Sequence, residues 1–206
     1  MVSPIEVSQQ ESTTRLIRQA ARETGTDFNF LLRTAARESN FDAGAQASTS
    51  SAAGMYQFIE QTWLGVMQRH GGEHGHGDAA QAITQGENGR FAVSDPTERS
   101  RILDLRFDPE TAARMAGELA SENAQVIESR LGRPASGGEL YAAHFLGANG
   151  AAGLIAAAER SPGMRADELF PQAAQANRPI FYEGGRARSA SEVLASLTRE
   201  RPVVNL

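Results

Sequence analysis

Glu38 is the residue of this chain whose setting most clearly suits it to chemistry. It stands in the run Arg37-Glu38-Ser39-Asn40-Phe41. Ahead of it, Phe28, Leu31, Leu32 and Ala35 recur at i, i+3, i+4 and i+7, the pattern of an amphipathic helix. Glu38 falls seven residues after Leu31 and three after Ala35. Two helical turns therefore bring it onto the apolar face, while Arg33 and Arg37 fall elsewhere on the wheel. A carboxyl group in apolar surroundings keeps its proton near neutral pH and can donate it as a general acid. The alternative is a helix-end glutamate that reaches back to water.

A second group of chemically capable residues follows. His70, His74 and His76 lie near Glu73 and Asp78. Imidazoles and carboxylates together suit zinc or another divalent ion. The intervening glycines work against preorganised ligands, and the sequence marks no helix that would fix an i, i+4 pair. The stretch from Gly71 to Arg90 therefore reads as a mobile, solvated loop or cleft flap, with no metal assigned.

The elements that would position these residues are helices. Ser8-x-x-Glu11 reads as a capping box ahead of Leu16, Ile17, Ala20 and Ala21, with Gly25 as the stop. Thr26 or Asp27 caps the helix that leads to Glu38. A helix over Ile59 to His70 ends at Gly71-Gly72. Asp108-Pro109-Glu110 is a strong start signal: a cap, a proline in the first turn, then an acid near the positive end of the dipole. That helix carries Ala112, Met115, Ala116, Leu119, Asn123, Val126 and Ile127 on one face and stops at Gly132. Ser136-x-x-Glu139 caps a helix containing Tyr141 and Phe145. Another runs from Ala151 to Arg160, and Ser189-x-x-Glu192 opens a last one. Strand signals are sparse, apart from a small hairpin expected within Ala82 to Ser94.

Composition narrows the function classes. The chain has 206 residues, enough for one substantial core with a small appendage. Hydrophobic residues make up 40% and mean hydropathy is -0.39, the profile of a globular chain in water. No apolar run approaches the ~20 residues needed to span a bilayer. All 20 basic residues are arginine, and the net charge of -5 argues against a general binder of nucleic acid or anionic membrane. With zero cysteines, disulfide, zinc-thiolate and cysteine-nucleophile chemistry are excluded. Met1-Val2-Ser3-Pro4-Ile5-Glu6 shows neither the basic nor the apolar region of a signal peptide.

The residues after Glu38 carry a resemblance. Glu38-Ser39-Asn40-Phe41 is followed by the small-residue stretch Ala45-Gln46-Ala47-Ser48, then by Gly54-Met55-Tyr56-Gln57-Phe58-Ile59 with Thr62 and Trp63. In this order and spacing the chain resembles the lytic transglycosylase and goose-type lysozyme group. These enzymes cleave the glycan strands of bacterial peptidoglycan. The match covers about residues 27–70. Here Met55-Tyr56 stands where the group has Leu-Met, which keeps bulk and adds a hydroxyl. The group's late Ala-Tyr-Asn-Ala-Gly segment has its counterpart in Leu140-Tyr141-Ala142-Ala143-His144-Phe145-Leu146-Gly147. Either His144 replaces the family tyrosine or Tyr141 supplies an aromatic one turn earlier. The segment 164–198 is similar to tails of alphaproteobacterial members associated with secretion systems or flagella.

The resemblance implies a mainly α, lysozyme-like catalytic domain over 8–160, possessing at most a small β-hairpin, and a C-terminal helical extension over 161–206 packed on it. It implies a lytic transglycosylase in which Glu38 alone acts as acid and then base. Ser39, Met55, Tyr56, Gln57, Phe58, Tyr141 and His144 would bind substrate. Ser39 either holds the Glu38 region, contacts the sugar, or caps the helix end. Met55, Tyr56 and Phe58 serve either the groove or the core, and Trp63 the core. Gln57 is the residue assigned to hydrogen bonding with sugar. No metal and no cofactor are required. The partners implied are peptidoglycan strands and a secretion-system or flagellar component, with no nucleic acid and no membrane span, for a monomer that is periplasmic or exported.

Two rivals stay open at this stage. A hydrolytic muramidase on the same scaffold needs a second acid, for which Asp42, Glu60 and Asp78 are the candidates. A non-catalytic glycan-binding assembly module would retain the fold without the reaction. A chitinase is more remote.

Overall fold

The helix that carries Glu38 starts where a local signal says it should. Gly25 turns the chain at φ +68, and the Asp27 carboxylate accepts the Phe30 N–H at 2.8 Å. An N-cap of this kind satisfies one of the amides that the first helical turn leaves without partners. The computed structural model describes residues 4–199. The chain divides into two compact units, Met1–Leu119 and Ala120–Leu206.

In the first unit, α1 (Pro4–Thr24) precedes α2 (Phe28–Ser39). Because α1 already runs from Pro4, Ser8 lies within the helix and not at its start, where the sequence reading put it. Proline at the first turn is as good an opening as a capping box, since its missing N–H would have had no helical partner. Then come α3 (Glu60–His70), α4 (Gly77–Ala82), strands β1 (Thr84–Gln85) and β2 (Phe91–Ala92), α5 (Pro96–Asp104) and α6 (Pro109–Leu131), which the unit boundary divides after Leu119. The antiparallel hairpin β1–β2 pairs Thr84 with Ala92, inside the expected range.

One core joins these elements. Ile17 and Ala20 of α1, Leu31 and Ala35 of α2, Trp63, Leu64 and Met67 of α3, Ile102 of α5, and Ala112 and Met115 of α6 are buried together. Trp63 belongs to this core. Its ring meets Phe58 edge-on at 5.1 Å, and its Nε1–H donates to the Ile102 carbonyl at 2.8 Å. A buried indole N–H left without an acceptor would be costly, so this bond also fixes α5 against α3.

The Gly71 to Arg90 stretch is structured, which corrects the expectation of a mobile flap. A 3-10 turn over Gly71–His74 continues directly from α3, and α4 follows. Ala79 and Ile83 are buried in the core. His74 Nε2 lies 2.8 Å from the Glu118 carboxylate, and His76 Nε2 lies 3.1 Å from the Thr111 hydroxyl, so both rings tie the segment to α6. The sequence showed the glycines but not the partners, which stand 44 and 35 residues away.

The second unit is built on α7 (Gly137–Arg160) and α11 (Ala190–Thr198), which lie along one another. Both open with the predicted capping boxes, on Ser136 with Glu139 and on Ser189 with Glu192. A Cβ on Gly138 would come within 2.8 Å of the Thr198 side chain, so this close approach requires glycine. Gly147 (φ 72, ψ 159) breaks α7 into two helical pieces, as the sequence expected. Among the described residues, α7 is long and apolar enough to cross a membrane by length and composition, with a mean hydropathy of 1.2. Between α7 and α11 lie the short helices α8 (Ala166–Leu169), α9 (Pro171–Ala176) and α10 (Arg178–Phe181) and a hairpin of β3 (Tyr182–Glu183) and β4 (Arg186–Ala187). Among the described residues the protein is mainly helical, with two small two-stranded sheets.

Glu139 is the buried acid of this unit. The Arg133 guanidinium beside it, at 2.7 Å, and the Ser136 backbone N–H hold its carboxyl down to about 2. An unfolded glutamate titrates at about 4.3. Its folded value is depressed, so its stabilising contribution is complete above the unfolded value and is lost as pH falls through about 2. Urea unfolding followed from pH 7 down to pH 2 should therefore show an acid-side loss of stability. Glu139→Gln should flatten that loss; superimposable pH profiles for the two proteins would rule out this origin.

Candidate functional site

Glu38 is the penultimate residue of α2 and is half-buried. Beyond it the backbone turns sharply. Asn40 (φ 53) and Phe41 (φ 66) both take left-handed conformations. Their N–H groups close the helix by donating to the Ala36 and Ala35 carbonyls, at 3.1 and 3.2 Å. For a residue as bulky as Phe41 this conformation is uncommon, and it persists only where the surroundings enforce it. Phe41 packs on the core of the first unit.

Ser39 makes the connection that matters most. Its hydroxyl donates to the Met55 carbonyl at 2.8 Å. The end of the Glu38 helix is thereby fastened to the Gly54–Phe58 segment, across 16 residues of sequence. The Ser39 hydroxyl is thus engaged within the protein, in the manner of a group that holds the Glu38 region.

The segment it fastens is tightly folded. Gly54 sits at φ +77, and a Cβ there would overlap the Arg106 carbonyl oxygen. Glycine is required twice over, by conformation and by space. The Gly54 N–H donates to the Ala45 carbonyl at 2.8 Å, and Ala53 and Phe58 exchange backbone hydrogen bonds of 3.2 and 3.0 Å. Gln57 is left-handed at φ 48. Its side-chain amide donates to the Gly54 carbonyl at 2.9 Å and to the Ala45 carbonyl at 3.2 Å.

Arg106 completes the arrangement, and the sequence gave no sign of it. Its guanidinium donates to the Ser51 carbonyl at 2.6 Å and the Phe58 carbonyl at 3.1 Å. Half-burial lowers its pKa below the ordinary arginine value without removing its charge at any physiological pH. Beside it, a pocket of about 340 Å³ is lined by Gln46, Ser50, Ser51, Arg99 and Asp104 together with Arg106.

The other sequence-predicted residues are placed as follows. Met55, Tyr56 and Phe58 are buried in the core of the first unit, the packing alternative for all three. The Tyr56 hydroxyl has no hydrogen-bond partner among the described residues, and burial pushes its pKa upward. Tyr141 and His144 belong to the second unit, where their rings stack on one turn of α7 with centroids 5.8 Å apart. Of the acids considered for a hydrolytic mechanism, Asp42 accepts the Gly44 N–H at 2.8 Å within its own loop. Glu60 is held by the Arg99 guanidinium through both carboxylate oxygens, each at 2.6 Å. Asp78 is exposed in the first turn of α4. Side chains able to ligate a metal gather elsewhere in the first unit, at His70, Glu73 and Glu118.

Comparison with known protein families finds no family that matches this chain.

Two substitutions test the construction of this site. Gly54→Ala should cost at least ~2 kcal/mol, because it combines a left-handed backbone with a backbone collision. Ser39→Ala should cost about 1 kcal/mol, the usual worth of one internal hydrogen bond. Chemical denaturation measures both. A Gly54→Ala protein as stable as the parent would show that the segment can withdraw from Arg106.

Proposed function

We propose that this protein is a peptidoglycan lytic transglycosylase on a lysozyme-like scaffold, with Glu38 as its single acid and base. The observation that carries the proposal is the hydrogen bond from Ser39 to the Met55 carbonyl. It joins the two stretches on which the resemblance rests, the end of the Glu38 helix and the Gly54–Phe58 segment, into one local structure.

The chemistry needs no second carboxylate. Glu38, protonated, donates to the oxygen linking N-acetylmuramic acid to N-acetylglucosamine. The bond from that oxygen to the muramyl anomeric carbon breaks, and positive charge develops at that carbon. The N-acetyl group of the same sugar assists there. Glu38, now a carboxylate, takes the proton from the muramyl 6-hydroxyl, whose oxygen bonds to the anomeric carbon and closes a 1,6-anhydro ring. One proton is given and one recovered, and no water enters. Because the nucleophile is already part of the substrate, the reaction is intramolecular and one switching carboxyl suffices.

Ordinary glycosidases instead use paired carboxyl groups ~5–5.5 Å or ~6.5–9.5 Å apart. Asp42 and Glu60 are each engaged in structural roles, which favours the one-acid reaction over a hydrolytic muramidase. The substrate puts the work in the periplasm or outside the cell. A secretion-system or flagellar component is the recruiting partner that fits a protein opening the wall locally.

The test is mass spectrometry of soluble fragments released from purified peptidoglycan, with Glu38→Gln alongside. The expected products are muropeptides one water lighter than hydrolysis products, and the substitution should lower their yield by at least ~100-fold. Reducing-end muropeptides would mean a muramidase. Glycan binding without cleavage by the folded parent protein would mean a non-catalytic module.

A further inference from the structure

We propose that His70, Glu73 and Glu118 form a divalent-cation site, selective for zinc over calcium and magnesium, that clips the Gly71–His74 turn onto α6. The ligand atoms of these three residues all lie within 4.8 Å of one another. They come from three pieces of the first unit: the end of α3, the 3-10 turn that follows it, and α6, whose Glu118 is distant in sequence.

The spacing is helical after all. Gly71 has helical backbone angles (φ -54, ψ -35), so the turn continues the winding of α3. His70, Glu73 and His74 then stand at i, i+3 and i+4 and share a face. Gly75, at φ +83, ends the turn. That face meets α6 at Glu118, whose carboxylate is drawn on from both sides. His74 Nε2 lies 2.8 Å from one oxygen, a hydrogen bond that orients the group. His70 Nδ1 lies 3.4 Å from the other oxygen.

The second distance is the informative one. It is long for a charge-assisted hydrogen bond, which closes to about 2.7–2.9 Å. Two ligands each about 2.0–2.1 Å from a tetrahedral zinc stand roughly 3.3 Å apart. His70 Nδ1 and the Glu118 oxygen already have that separation. Glu73, exposed at the rim, provides a third ligand and a route of entry. A pocket of about 430 Å³, lined by Glu23, Glu73, His74, Arg114 and Glu118, gives room for a water as fourth ligand.

Charge and donor type select the ion. Two carboxylates and a neutral imidazole balance a dication. Arg114, the cation nearest this pocket, is held by Glu23 at 2.6 Å and Glu110 at 2.8 Å. Calcium and magnesium prefer all-oxygen surroundings with six or more ligands, whereas an imidazole with few carboxylates suits zinc. The hydrogen bond from His74 to Glu118 then fixes the orientation of a metal-bound carboxylate, as outer partners of metal sites commonly do.

The experiment is calorimetric titration of zinc chloride into the full chain, free of any polyhistidine tag and stripped with chelator, with thermal melting in parallel. One zinc per chain should bind and raise the melting temperature. Glu73→Gln, at an exposed position that leaves the apo fold intact, should weaken binding at least ~10-fold. Glu118→Gln should abolish it, and His70→Gln should remove the preference for zinc over calcium. Absence of saturable uptake would overturn the site. So would a zinc affinity that Glu73→Gln leaves unchanged, or calcium binding as tight as zinc.

Discussion

The segment between α2 and α3 depends on the closeness of Gly54 to the Arg106 carbonyl. Nothing larger than hydrogen fits on the Gly54 α-carbon, so the chain there lies directly against the end of the turn that follows α5. The Arg106 guanidinium reaches back across the same contact to the Ser51 and Phe58 carbonyls. Ser39 closes the other side through Met55. This long connection carries only isolated bridges in place of a sheet, at Gln46–Ala53 and Ala53–Phe58. Side-chain donors therefore take over much of the work that a ladder would do in satisfying its carbonyls.

Much of the helical framework was legible because the signals are local. Asp27, Asp108, Ser136 and Ser189 each cap the helix that the sequence assigned to them. Two further local signals are of equal quality. Asp95-Pro96-Thr97-Glu98 repeats the pattern at Asp108 and opens α5, with Asp95 accepting the Thr97 N–H at 2.7 Å. Gly184-Gly185, at φ 55 and φ 84, is the glycine pair of a tight hairpin between β3 and β4. Of the candidate site, Glu38 and the Gly54 segment could be picked out. Arg106 and Glu118 could not, because their partners are fixed only by the packing of helices far apart in sequence. No local pattern encodes such a meeting.

Met55, Tyr56 and Phe58 are given over to packing: all three are buried in the core, and within this stretch Gln57 alone is partly exposed. A change of side chain at these positions alters packing first and any ligand surface second. The Tyr56 hydroxyl, buried without a partner among the described residues, makes this core less favourable than a phenylalanine of the same outline would.

Gln57 has one property that follows from its bonding alone. Both hydrogens of its amide are directed at main-chain carbonyls, those of Gly54 and Ala45. The same pairing fixes which end of the amide is nitrogen, since two carbonyl oxygens can face only a donor. With both hydrogens so engaged, the hydrogen-bonding capacity that remains to the amide is that of an acceptor.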